Sequence, residues 1–211
     1  MILAAGRGVR MGALTDTRPK PLIGLGGETL IGRQLRRLAA AGIADAVINL
    51  SYRGDQIRAA VGDGSRYGLR VAYSEEGPEP LETAGGIVAA LPLLGDDPFL
   101  VVNADVVTDF DFATLAAPGF ASDRGETDGH LVLVPNPDHN PTGDYAITPD
   151  GRLASGEPRY TFAGISVLSP VLFADLAPGR RPLSQIFDAC VPTGTLSASL
   201  YNGLWLDIGT P

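Results

Sequence analysis

The residues with the clearest chemistry open the chain. Leu3-Ala4-Ala5-Gly6-Arg7-Gly8-Val9-Arg10-Met11-Gly12 carries an apolar run into a glycine-rich turn, and Lys20 follows between two prolines, in Arg18-Pro19-Lys20-Pro21-Leu22. Such turns let backbone N–H groups close on an anion because no Cβ stands in the way. Arg10 adds a guanidinium suited to phosphate oxygens, and Lys20 a compact charge on a movable stem. Lys20 is the one lysine among 16 basic residues, pinned by prolines that fix the local backbone. The plainer alternatives are a chance loop lysine and a solvated loop arginine. Two other phosphate motifs are excluded. A dinucleotide fingerprint would need a third glycine where Met11 stands, and an acid about 20 residues on that is missing. The pattern G-x-x-x-x-G-K-[ST] is absent. A phosphate-binding turn carrying its own cations remains.

Two aspartates complete that chemistry. Asp105 follows the continuous apolar run Phe99-Leu100-Val101-Val102, and Asp207 precedes the tight turn Ile208-Gly209-Thr210. Ligands of open α/β sheets bind at the carboxyl ends of strands. Mg²⁺ held to phosphates takes only one or two carboxylates and keeps waters. A turn or helix-cap aspartate is the alternative for Asp105, and Asp109 and Asp111 lie past the strand as solvated decoys. The Glu79–Gly86 loop suits a flat base, since Ala84, Gly85 and Gly86 are small. It also suits a helix start, with Thr83 as cap and Glu82 favouring the dipole. His130 and His139 share no metal spacing, and Trp205 reads as packing.

Elements that could position these groups alternate along the first half. Strands are expected over 1–5, 46–50, 69–73 and 99–102, with helices over 29–41, 55–61 and 83–94, the last broken near Pro92. After residue 110 strands dominate, over 130–134, 145–147, 161–168, 197–201 and 205–208, with a turn at Pro149-Asp150-Gly151 and helices over 171–176 and 183–191. Residues 118–129 read as a loose surface loop. The expectation is one α/β domain over 1–211, with a mostly parallel central sheet, a nucleotide-binding half over 1–110 and a mixed second half over 111–211.

Composition sets outer limits. With 45% hydrophobic and 19% charged residues the chain reads as an ordinary globular domain. A formal charge of −8 argues against nucleic acid, whose binding rests on Lys and Arg neutralising phosphates. No apolar run reaches the ~20 residues of a membrane span, and no secretory leader is read at the start. The single cysteine, Cys190, fits a reducing cytoplasm.

Taken together, L-A-A-G-x-G-x-R and P-K-P-L resemble the signature of the sugar-1-phosphate nucleotidyltransferases. The resemblance continues through Glu79–Gly86, Asn103-Ala104-Asp105, Gly143-Asp144-Tyr145, Phe162-Ala163-Gly164-Ile165 and Trp205–Thr210. It implies a Rossmann-like core, Mg²⁺, and transfer of a nucleoside monophosphate from an NTP to a sugar 1-phosphate. Arg10, Lys20 and Asp105 would be catalytic, and Asp105 and Asp207 would hold the metal. The nucleotide would contact Ala5, Gly6, Gly8, Val9, Arg10, Lys20, Glu79, Gly85 and Gly86; the sugar would contact Asn103, Asp144, Glu157 and Gly164. Within the family the chain is most similar to N-acetylmuramate-1-phosphate uridylyltransferases of peptidoglycan recycling, with mannose-1-phosphate guanylyltransferases close behind. Ala104 stands where the family more often has glycine. A monomer or small homo-oligomer is implied. A nucleotide-sugar sensor without turnover and a nicotinamide oxidoreductase are the other classes; the latter requires overlooking the missing third glycine and acid.

Overall fold

In the computed structural model, which describes residues 1–116 and 127–209, the first half alternates as its apolar runs require. Its elements are β1 (Ile2–Leu3), β2 (Gly24–Leu25), β3 (Glu28–Thr29), α1 (Leu30–Ala40), β4 (Asp45–Leu50), α2 (Gly54–Val61), β5 (Arg70–Glu75), α3 (Glu82–Leu94), β6 (Phe99–Asn103), β7 (Val106–Thr108) and α4 (Ala113–Ala116). The second half adds β8 (Gly129–Val134), β9 (Ala146–Ile147), β10 (Leu153–Ala154), β11 (Thr161–Leu168), α5 (Leu183–Cys190), β12 (Leu196–Leu200) and β13 (Trp205–Asp207).

Seven strands make one sheet in the order β12-β8-β11-β6-β1-β4-β5. Only β11 runs against its neighbours; the pairs β6–β1, β1–β4, β4–β5 and β12–β8 are parallel. Alternating side chains feed two faces. Ile2, Ile48, Val102 and Ile165 pack with Ile31, Leu35 and Leu38 of α1 and Ile57 and Val61 of α2. Val47, Val101, Leu131 and Leu133 pack with Ala84, Ile87 and Ala90 of α3 and Ile186 and Phe187 of α5. The result is an α/β domain with a Rossmann-like, mostly parallel sheet. From β1 the chain proceeds outward to β4 and β5, then returns to place β6 on the other side. That reversal opens a crevice at the strands' carboxyl ends.

Local chemistry explains where the elements differ from expectation. Thr29 caps α1, its Oγ1 accepting from Gly32 N at 3.1 Å. Thr83 does not cap α3, whose N-cap is Leu81; its hydroxyl instead accepts from Leu183 N at 2.7 Å. Helix α3 runs through Pro92 to Leu94. The proline removes one hydrogen bond in the last turn, while Ile87 and Ala90 anchor the helix in the core. The helix expected over 171–176 shortens to a 3₁₀ turn, Pro170–Phe173, closed by Ser169. Gly129 belongs to β8 rather than to the preceding loop, and residues 118–126 of that loop lie outside the described residues. The turn at Pro149-Asp150-Gly151 joins β9 to β10.

Candidate active site

A cleft of about 470 Å³ opens at the carboxyl ends of β1, β4, β5 and β6. It is lined by residues 3–6, Gly8, Val9, Arg10, Lys20, Pro21, Asn49, Glu76, Pro80, Glu82, Thr83, residues 103–105 and Gly209. Ala5, Gly6, Gly8, Val9, Arg10, Lys20, Asn103 and Asp105 therefore share one wall system. Lys20 is buried, and its ammonium pairs with the Asp105 carboxylate, 85 residues away. Gly8 makes that approach feasible. Its φ is +67°, and a Cβ there would sit 3.1 Å from Lys20 Cβ and 3.2 Å from Lys20 Cδ. The Gly8 carbonyl accepts from Met11 N at 2.9 Å and from Thr15 Oγ1 at 3.1 Å, which holds the turn.

Asp207 is brought to Asp105 by a two-stranded ribbon. β13 pairs antiparallel with β7, setting Asp207 opposite Val106, and Ile208 N donates to Asp105 O at 3.0 Å. Asp207 flanks the cleft rather than lining it. A Cβ on Gly209 would stand 3.3 Å from Asp207 Oδ1 and 3.4 Å from Arg10 Nη2, so the carboxylate and the guanidinium converge there. Asp109 points elsewhere, accepting from the Tyr201 hydroxyl, which holds its carboxyl below the usual range. Two carboxylates are hard oxygen donors and suit a divalent cation that needs few protein ligands when phosphates supply the rest. Among the described residues no third His, Cys, Asp or Glu completes a protein-only metal cluster.

Four supporting residues escaped sequence reasoning. Gln34 of α1 is buried and donates from Nε2 to Val106 O at 2.6 Å and Asn103 O at 3.3 Å, bracing the loop that carries Asp105. Asn49 accepts from Ala4 N at 2.7 Å and donates to Glu76 Oε1 at 2.6 Å. Glu76 Oε2 in turn accepts from Leu81 N at 2.8 Å, so one buried chain links the glycine turn to the 77–81 loop. His139 Nε2 lies 3.5 Å from Asp207 Oδ2. These residues sit on a helix face, a strand and two loops with no shared spacing and act through polar contacts that only the fold creates, so sequence carries no signal for them.

Gly85 and Gly86 lie behind the cleft wall. A Cβ on Gly85 would meet Gly179 O at 2.3 Å, and one on Gly86 would meet Glu76 Oε1 at 2.3 Å. The room their missing side chains leave is thus filled by protein. Glu79 is exposed beside Pro80, which lines the cleft.

A second cavity of about 280 Å³ lies beside the first and shares with it the wall residues Leu3, Thr83 and Asn103. Asn103, Asp144, Tyr145, Phe162, Gly164, Leu183, Ser184 and Phe187 are among its walls. Asp144 accepts from Phe162 N at 2.7 Å and from Asn140 Nδ2 at 3.0 Å. Gly164 has φ +70° and sits where the register of β11 against β8 shifts; a Cβ would come within 2.6 Å of Asn103 Nδ2. The Tyr145 hydroxyl donates to Asp188 at 2.9 Å, and burial, followed by that bond, pushes its pKa up, so it stays protonated. Glu157 stands apart from both cavities, exposed and accepting from Arg159 N at 3.2 Å.

Comparison with known proteins extends this geometry. Residues 1–152 match the nucleotidyl transferase family. The chain is 47% identical over its whole length to the N-acetylmuramate alpha-1-phosphate uridylyltransferase of Neisseria meningitidis serogroup B, covering 92% of that protein. It is 34% identical to the Caulobacter vibrioides enzyme of the same name, covering 91% of it. A mannose-1-phosphate guanyltransferase of Aspergillus fumigatus is 33% identical, with 60% of its length covered. Among solved structures, a Bacillus anthracis protein in complex with a sucrose superposes with a TM-score of 0.85 at 20% identity, covering 99% of this chain and 89% of that one, a likeness of fold.

Proposed function

Since the chain belongs to the nucleotidyl transferase family, we propose that it transfers UMP from UTP to N-acetylmuramate 1-phosphate, releasing pyrophosphate. The carrying observation is that Gly8, Arg10, Lys20 and Asp105 line one cleft, flanked by Asp207, beside a second cavity that shares its wall. The full-length likeness to the two uridylyltransferases supports the choice of sugar and base. Residues 1–110 hold the nucleotide and residues 111–211 close the sugar side.

A phosphate oxygen of the sugar ester attacks the α-phosphorus in line. A new P–O bond forms, the bond to the β-phosphate oxygen breaks, and its electron pair leaves on pyrophosphate. Catalysis of this kind is positioning and charge neutralisation, with no covalent nucleophile required. The glycine turn, with Val9, cradles the phosphates, and Arg10 neutralises the departing pyrophosphate. Lys20 exchanges its bond to Asp105 for the reacting phosphate. Asp105 and Asp207 would hold Mg²⁺, which supplies further neutralisation of phosphate charge. Asn103, Asp144 and the Gly164 backbone offer polar contacts to the sugar. The reading places the enzyme in the cytoplasm, in peptidoglycan recycling.

The test is a matrix of UTP, GTP, CTP, dTTP and ATP against muramate-, glucosamine-, mannose- and glucose-type 1-phosphates, followed by pyrophosphate release. UTP with N-acetylmuramate 1-phosphate is expected to give the highest kcat/KM. A preference for GTP with mannose 1-phosphate would replace this reading by the guanylyltransferase one, and tight product binding without turnover would replace it by a sensor.

A further inference from the structure

N-acetylmuramate differs from N-acetylglucosamine by a lactic acid ether on O3, so an enzyme for it must place a carboxylate besides the phosphate. The cavity beyond Asn103 has no Arg, Lys or His among its described lining residues, and its one carboxylate, Asp144, would repel such a group. Two cations, Arg180 and Arg181, stand just ahead of the lining residues Pro182, Leu183 and Ser184, and of the two it is Arg180 whose side chain pairs with a residue of the cleft. Arg180 Nη2 lies 2.6 Å and its Nε 2.8 Å from Glu82 Oε1.

Glu82 is unusual in two ways. It lines the nucleotide cleft next to Thr83, which lines both cavities. It also has φ +60°, a left-handed backbone that side chains other than glycine, Asn and Asp rarely take. An outlier of this kind persists where the surroundings over-determine it. Here they do. Arg181 O accepts from Ala84 N at 3.0 Å and Gly85 N at 3.1 Å, and Arg181 N donates to Leu81 O at 2.9 Å. Leu183 N completes the clamp on Thr83. The backbone beside Arg180 is therefore fastened, while its side chain is 73% exposed and tied only to Glu82 among the described residues.

We propose that Arg180, held by Glu82 of the nucleotide cleft and two residues ahead of the second cavity's wall residue Pro182, reads the carboxylate of the sugar and so selects an acidic sugar 1-phosphate over its neutral counterpart. The inference rests on the uridylyltransferase reading. A guanidinium has five N–H donors and can add a second carboxylate beside the first or exchange one for the other. The released Glu82 carboxylate is then partly open to solvent, and the planar fork of Arg180 suits a bidentate contact.

The full chain and its Arg180→Ala, Arg180→Lys and Glu82→Gly variants are assayed by pyrophosphate release with UTP, using N-acetylmuramate 1-phosphate and N-acetylglucosamine 1-phosphate in parallel. Thermal melting is followed for each. Arg180→Ala is expected to raise KM for the muramate ester at least tenfold and to leave kcat and KM for the glucosamine ester within twofold. Arg180→Lys should restore part of the loss. Glu82→Gly should give an intermediate loss of selectivity, because Arg180 is present but no longer held. An unchanged ratio between the two esters in Arg180→Ala, or an equal loss on both, overturns the inference while the reading beneath it stands. Wild-type protein inactive on N-acetylmuramate 1-phosphate overturns that reading instead.

Discussion

Lys20 and Asp105 meet across 85 positions of sequence, and their pairing governs what a substitution at either must do. Lys20→Arg keeps the charge but replaces a compact ammonium with a wide fork, against a turn where Gly8 already leaves only contact distance. It should lower kcat at least tenfold with a melting temperature near that of wild type; activity within a few-fold of wild type would make Lys20 a loop charge. Asp105→Asn and Asp207→Asn each remove a negative charge from the proposed metal-binding pair. Each should weaken Mn²⁺ binding, read by titration calorimetry, and lower kcat on the order of a hundredfold. Asp109→Asn, whose carboxylate is engaged by Tyr201, is the control and should stay near wild type. Unchanged Mn²⁺ affinity in both variants would move the metal elsewhere. That these charged residues would gather at one cleft was legible in sequence from where they stand: one lysine between prolines, and aspartates at strand ends. Gln34, Asn49 and Glu76 were not legible, because they work through hydrogen bonds to backbone and to each other, and such partners are set only by the folded chain.

The elements carry the site through a few buried contacts. Gln34 on α1 holds two carbonyls of the 103–106 segment, while its own Oε1 is buried without a partner. Gln34→Leu thus strips two acceptors of their donor but also removes an unpaired oxygen. The net destabilisation should fall near the low end of the usual range, about 1 kcal/mol, read as a urea midpoint shift. The sharper effect should be on kcat, through displacement of Asp105; wild-type kcat with a shifted midpoint would reduce Gln34 to packing. Strands β4, β6, β8 and β11 were readable from apolar runs, and α1 from its spacing, because burial writes a period into sequence. The start of α3 was misread at Thr83 because a threonine near a helix start can serve equally well as acceptor for another loop, here Leu183 N. No local rule distinguishes the two.

At the scale of the molecule, the two halves share one sheet, with β6 and β11 joined along four residue pairs. Both core faces span that seam, so unfolding should be a single cooperative step. The one tryptophan, Trp205, packs on the first face and donates from Nε1 to Ala163 O at 2.9 Å. Its fluorescence and the far-UV circular dichroism should therefore trace one urea curve. Separated curves would mean that the halves come apart independently. The ribbon of β7 and β13 has a consequence for how such a protein can change. Sliding along a ladder proceeds in whole residues of about 3.4 Å, and an odd step turns every side chain to the opposite face. The separation of Asp105 and Asp207 is therefore quantised: drift in the surrounding sequence cannot tune it by small degrees, and a single-residue insertion in either strand would abolish the arrangement at one stroke.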